Sequence, residues 1–274
     1  MSIKLPTPIP SSGYLAIDSI GRLHFRTFGR GSRLMICFHG YGLDAGSFEV
    51  LHHWDNHSYT LLCFDHAFHG QSEMYTNEVE VPVNVLCDPI VQFAKELGYT
   101  SCSIMAFSLG GKLALCLTER YPDFVEKLVL IAPDGIKTSF WYSLATYPLF
   151  FRAALRRIVL RPWFFNRLVQ TMRVLKLVDK GILRFASSQM NTVKKRYRLY
   201  NTWVAYKQFN PNLRTLAVLL NNRQIPVLLY LGKYDKIITQ SNLYFFIKQL
   251  AVIQVVTLPV GHNHLIDYLA KEEA

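Results

Sequence analysis

Residues 103–112 read SIMAFSLGGK, an apolar run that stops at a serine followed by two glycines. The run 102–106 predicts a buried strand, and 109–120, stopped near Pro122, predicts a helix. Ser108 falls at the turn between them. Small residues, Ala106 and Gly110, stand two before it and two after. A sharp strand-to-helix closure needs such neighbours if the serine Oγ is to stand clear of the backbone. Serine is also a favoured N-cap residue, so this stretch alone leaves open a cap, a turn residue or a nucleophile.

Working outward, LHFRTF (23–28) and LMICF (34–38) flank Gly29-Arg30-Gly31-Ser32, a turn signal between adjacent strands. TLLCF (60–64) predicts a further strand and 83–97 a helix closed by Gly98. KLVLIA (127–132) follows as a strand. Later, 227–231, 244–250, 253–258 and 264–270 read as strand, helix, strand, helix. Fully apolar runs separated by helices indicate a parallel sheet covered on both faces. The expected fold is α/β, a doubly wound, mostly parallel sheet.

The chain has 274 residues, half of them apolar, enough for a full core and a sizeable insertion. Its opening MSIKLPTPIPSSG lacks the apolar segment of a signal peptide, and no apolar run reaches the roughly 18 residues of a membrane span. Five cysteines without a CxxC pair read as buried free thiols in a reducing compartment, which favours the cytoplasm. The net charge is +11, unevenly placed: 137–214 holds 16 Lys and Arg against one acid, Asp179, a net +15, and the remainder is −4. The expected organisation is a core of 1–136 and 215–274 with a strongly basic helical insertion at 137–214. Within it Trp141, Leu144, Pro148, Phe151, Leu155, Ile158 and Val159 recur at helical spacing.

Four separated segments resemble the α/β-hydrolase superfamily, specifically its cap-bearing serine hydrolases: CFHGYG (37–42), FDHAFHGQS (64–72), AFSLGG (106–111), and LGKYDKII (231–238) taken with LPVGHNH (258–264). The glycine-flanked elbow G-x-S-x-G appears here as A-x-S-x-G. The resemblance implies the order Ser, acid, His, met by Ser108, Asp235 beyond PVLLYLG, and His262 after VVTLP. It also implies that the backbone N–H groups of Tyr41 and Leu109 form an oxyanion hole. His39, Phe107, Trp141 and Phe151 are its candidate pocket residues. DHAFHGQS resembles the family's D-x-x-G-x-G-x-S loop, which shapes the core and does no chemistry. The insertion takes the place of the family's cap.

The chemistry needs these residue types because a serine hydroxyl is a poor nucleophile until a base accepts its proton, and that imidazole needs a carboxylate to fix its tautomer. Alternatives stay open. Asp134 competes as the acid or makes a turn with Gly135, and His264 competes as the base. His262-x-His264-x-x-Asp267 and His66-x-x-His69 invite a metal reading, which requires convergence of distant segments. The serine reading needs no metal and no organic cofactor. Dehalogenases and epoxide hydrolases of the superfamily place a carboxylate where Ser108 stands, whereas carbon-carbon bond hydrolases keep the serine.

The expected activity is cleavage of a carboxylic ester or thioester with an apolar acyl part, through an acyl-enzyme on Ser108. The competing class is a non-catalytic ligand or membrane binder. For the basic insertion four readings stand: peripheral contact with an anionic membrane, steering of an anionic substrate, a solvated face, and nucleic acid. Nucleic acid ranks last and is not expected, since no recognised binding module accompanies the charge.

Overall fold

The computed structural model describes residues 9–77, 79–136 and 190–272, together with 156, 157, 161, 163, 167, 170, 171, 174, 187 and 188. The chain packs as two compact units, one of Met1–Tyr75, Pro82–Lys137 and Phe209–Ala274, the other of Thr76–Val81 and Thr138–Gln208. Trp141 and Phe151, with the helical spacing read around them, lie outside the described residues.

Among the described residues the first unit holds a nine-stranded sheet. Its strands are β1 (Ser12–Ile17), β2 (Gly21–Phe28), β3 (Arg33–Phe38), β4 (Tyr59–Phe64), β5 (Glu73–Met74), β6 (Cys102–Phe107), β7 (Val125–Ile131), β8 (Val227–Gly232) and β9 (Ile253–Leu258). The order is β1-β2-β4-β3-β6-β7-β8-β9, with β5 paired to β2. From β4 to β9 every pairing is parallel. This is the mostly parallel α/β sheet that the apolar runs indicated: every residue of β4 and β6 is buried, as strands covered on both faces must be.

Two features of the first strands depart from the sequence reading. β1 adds an antiparallel hairpin to β2, with Ser12 opposite Arg26 and Ile17 opposite Gly21. β2 and β3, expected side by side, are separated by β4, which runs antiparallel to β2 and parallel to β3. The glycine turn between them closes on the start of β4 instead: Gly31 N–H donates to the Tyr59 carbonyl at 3.3 Å and Arg33 N–H to the Ser58 carbonyl at 3.1 Å. A turn signal reports a reversal of the chain, not which strand will fill the gap it leaves.

The helices follow the apolar spacing. α1 (Val83–Glu96) buries Leu86, Cys87, Ile90, Val91 and Ala94, and α2 (Gly110–Arg120) is buried from Gly110 to Thr118. In the second unit α3 (Val193–Ala205) starts at Thr192, whose side chain accepts the Lys195 N–H. It packs Tyr200 and Val204 with Met190. The Val81 N–H reaches the Ala205 carbonyl at 3.2 Å, and Lys207 pairs with Glu80 at 3.2 Å. Back in the first unit come α4 (Leu213–Asn222), α5 (Gln240–Ile247) and α6 (Leu265–Glu272). Leu265 and Leu269 of α6 join Met35, Cys63, Met105 and Val129 in one core. No helix of the described residues is long and apolar enough to cross a membrane.

Strand order reverses between β3 and β6, with β4 lying beyond β3 and β7 beyond β6. Chain ends at such a reversal diverge and leave a crevice at the carboxyl edge, where ligands of open α/β sheets bind. Phe38 pairs with Ala106 at the ends of these two strands, so residues 39–42 and Ser108 emerge side by side. The close approach depends on Gly110, where a Cβ would stand 2.0 Å from the Phe38 carbonyl oxygen. That neighbour is backbone and cannot swing away. Gly110→Ala is therefore expected to cost about 3 kcal/mol or more, read as a lower denaturant midpoint in urea unfolding.

Candidate active site

Ser108 occupies the left-handed region at φ 48, a conformation L-residues avoid unless the surroundings enforce it. The enforcement is visible. Its N–H donates to the Ile131 carbonyl at 3.0 Å, and its own carbonyl accepts from Gly111 at 2.9 Å and from Asp134 at 2.8 Å. Ala106, where the family pattern has glycine, is fully buried between β3 and β7 and is accommodated there. No side chain caps the first turn of α2. The cap role is therefore vacant, and the Ser108 hydroxyl points elsewhere.

Its partner is His262, with Nε2 lying 3.0 Å from the Ser108 Oγ. On the other edge of the ring, Nδ1 lies 2.6 Å from Asp235 Oδ2. The remaining carboxylate oxygen of Asp235 accepts the N–H groups of Ile237 at 2.7 Å and Ile238 at 2.9 Å. An acceptor-only carboxylate on one edge requires a proton on Nδ1, which leaves the Nε2 lone pair facing the serine hydroxyl. The Phe107 ring packs on the imidazole with centroids 5.0 Å apart. The structure thus brings Ser108, His262 and Asp235, which lie 154 and 27 residues apart along the chain, into one hydrogen-bonded relay.

The competitors fall outside it. Asp134 Oδ1 accepts the neighbouring Gly135 N–H at 2.7 Å, an ordinary turn contact. His264 and Asp267 are exposed. Among the described residues no three His, Cys, Asp or Glu side chains group to hold a metal ion. All five cysteines are free and buried. Burial pushes the Cys63, Cys87 and Cys102 thiols well up and Cys116 up to about 12, far from the thiolate form a nucleophile needs.

The loop after β3 lies against the serine turn. A Cβ on Gly40 would stand 2.7 Å from the Phe107 ring and 3.3 Å from the Ser108 Cβ, so only glycine lets the two segments approach this closely. Tyr41 follows directly. Leu109, opening α2, contributes one of the helix N-terminal amides that has no intrahelical acceptor. His39 is fully buried and turned away from solvent: its Nδ1 donates to the Gly40 carbonyl at 2.8 Å, and its Nε2 accepts the His66 N–H at 3.0 Å. It braces the loop.

The sequence reading offers His66 only as a candidate metal ligand with His69 and gives DHAFHGQS no part at the site, so it misses what His66 does there. His66 Nε2 donates to the His39 carbonyl at 2.7 Å and so helps hold the loop. Asp65 anchors the same segment, accepting from Ala45 N at 2.6 Å, Gln71 N at 2.8 Å and His24 Nδ1 at 2.8 Å. Phe68 stands at φ 64 near the family pattern's glycine, a strain this network holds in place. The ring contacts that His66 and His69 make with His39 and with each other were hidden because the pattern D-x-x-G-x-G-x-S assigns His66 and His69 no task.

Burial and the neighbouring His39 pull the His66 imidazole well below its ordinary pKa. The unfolded chain protonates this group near pH 6.5, while the folded chain does not. Stability is therefore full above that pH and falls as pH drops below it toward the folded value. The limiting slope is about 1.4 kcal/mol per pH unit for one proton. His66→Gln, which keeps a donor toward His39, is expected to flatten this part of the profile, read by urea unfolding at stepped pH.

Comparison with known proteins bears on the arrangement. A family model described as the alpha/beta hydrolase fold matches residues 33–267. A 1-acylglycerol-3-phosphate O-acyltransferase of Saccharomyces cerevisiae is 24% identical over 217 residues, 66% of this chain and 55% of its own length. Epoxide hydrolase 4 of Mus musculus is 26% identical over 133 residues, 44% of this chain and 35% of its own. The chain thus spans about half or less of the length of these curated relatives. Among solved structures, a hydrolase from Pseudomonas aeruginosa is similar with a TM-score of 0.69 and 18% identity, covering 96% of this chain and 95% of that one. An esterase from Thermogutta terrifontis has a TM-score of 0.66 and 16% identity, covering 96% of each chain.

Proposed function

The chain belongs to the α/β-hydrolase fold family, and from that premise we propose that it is a serine hydrolase cleaving a carboxylic ester or thioester. Ser108 Oγ attacks the acyl carbon as His262 Nε2 takes its proton, and Asp235 steadies the imidazolium that forms. The amides of Tyr41 and Leu109 hold the negative oxygen of the tetrahedral intermediate. Its collapse breaks the bond to the leaving alcohol or thiol, which receives the proton from His262, and leaves the acyl group on Ser108. Water, deprotonated by the same imidazole, then attacks the acyl carbon and releases the acid and the free serine. The observation that carries this reading is the relay with Ser108 Oγ 3.0 Å from His262 Nε2 and His262 Nδ1 2.6 Å from Asp235.

The residue at 108 also decides between neighbouring chemistries. Opening an epoxide through a carboxylate ester intermediate needs an acid at this position, and the chain has a serine. Discharge of the acyl group to an alcohol in place of water is the second reading, favoured by the similarity to a protein named as an acylglycerol-phosphate acyltransferase. An anionic head group on the substrate or acceptor accords with the +15 segment.

A fluorophosphonate probe tests the reading, since it forms a stable bond only with an activated serine. Wild-type protein is expected to label and Ser108→Ala to remain unlabelled, while a panel of acyl esters graded by chain length and head-group charge identifies the substrate class. Supplying a lysophospholipid alongside the ester separates transfer from hydrolysis by the product formed. A wild-type protein that takes up no probe from mildly acidic to alkaline pH would leave the binder as the better account.

A further inference from the structure

We propose that the basic segment docks the protein on an anionic lipid surface. The sequence places +15 of charge in 137–214, and the rest of the chain carries −4. Described side chains of the second unit say how part of that charge is displayed. Residues 163, 167, 170, 171 and 174 are helical and exposed, and their spacings of four, three, one and three put them on one helix face. On that face Trp163 is 57% exposed and Val174 is 72% exposed. The Arg167 guanidinium lies over the Trp163 ring at 4.8 Å. Arg156, Arg157 and Arg161 are exposed as well.

Three physical points select the occupant. A segment meant only for water normally mixes charge signs, whereas 137–214 holds a single acid, and no carboxylate among the described residues pairs with the exposed Arg157, Arg161 or Arg167. Leaving a tryptophan and a valine in water forfeits burial that a lipid interface restores, because an indole settles at head-group depth while arginines reach the phosphates. Polynucleotides would satisfy the charge but leave Val174 exposed. An anionic bilayer satisfies both, and each basic side chain near such a surface raises partitioning roughly fivefold. Docking by this face would bring the protein to amphiphilic substrates, yet it does not depend on the chemistry at Ser108.

Flotation of the full chain with vesicles tests the proposal. Phosphatidylcholine vesicles containing phosphatidylserine should carry the protein at low salt and release it at high salt, and pure phosphatidylcholine vesicles should carry little. The triple variant Arg157→Glu, Arg161→Glu, Arg167→Glu should lose affinity for the anionic vesicles by on the order of 100-fold or more. Trp163→Ala should weaken binding at every salt concentration. Thermal unfolding of each variant checks that it is folded. Ser108→Ala should bind like wild type, so failure of the hydrolase reading leaves this result untouched. Equal recovery with neutral and anionic vesicles overturns the proposal. So does undiminished binding by a folded triple variant, or capture of the protein by RNA at salt where the anionic vesicles fail to hold it.

Discussion

Replacing Ser108 with alanine is expected to lower kcat for any ester the protein turns over by about 10⁵- to 10⁶-fold, or about 7–8 kcal/mol of transition-state stabilisation. The loss is large because Ser108 is the nucleophile His262 faces: its Nε2 lies 3.0 Å from this hydroxyl, and burial holds the Cys102 and Cys116 thiols protonated. Alanine keeps a Cβ at φ 48, so the strained turn and its hydrogen bonds to Ile131, Gly111 and Asp134 remain. Unfolding should therefore shift by no more than about 1 kcal/mol, the worth of one hydrogen bond. Steady-state kinetics beside a thermal melt separates the two effects. Ester turnover comparable to wild type in the folded variant would sink Ser108 as nucleophile.

The second large effect is Asp235→Asn, expected to reduce kcat about 10⁴-fold with the fold intact. The geometry makes the direction of the amide predictable. Oδ1 accepts the N–H groups of Ile237 and Ile238, so the asparagine oxygen must take that side. Its NH₂ then meets His262 Nδ1, which becomes an acceptor. The imidazole proton moves to Nε2, and the ring can no longer take a proton from Ser108. Fluorophosphonate labelling should slow in proportion. The nitrogen chemical shifts of the imidazole would report the tautomer, and an unchanged Nδ1–H form would refute this account.

How legible all this was in the sequence depends on whether a feature is local. SIMAFSLGGK carries the strand, the turn and the helix within ten residues, and β6 and α2 form where the apolar run and the glycines put them. The runs at 60–64, 127–132 and 253–258 likewise became β4, β7 and β9 to within two residues. The pairing of β2 was not legible, because which strand fills an edge depends on β4 arriving from thirty residues downstream. The bracing role of His66 was not legible for a similar reason: it is a hydrogen bond to the carbonyl of His39, 27 residues away, and the residue type gives no hint of that partner. His262 over His264 became decidable only when one ring was buried on Asp235 and the other faced solvent.

By itself the sequence determined the α/β layering, the kinds of side chain available for chemistry, and the confinement of positive charge to one segment. These follow from composition and short-range periodicity, which each stretch of chain carries with it. Tertiary structure alone decided the strand order, which imidazole and which carboxylate meet at Ser108, and the bracing of the loop beside it. Each of those rests on atoms from distant segments meeting within about 3 Å, a separation that hydrogen bonds require and that no linear spacing encodes.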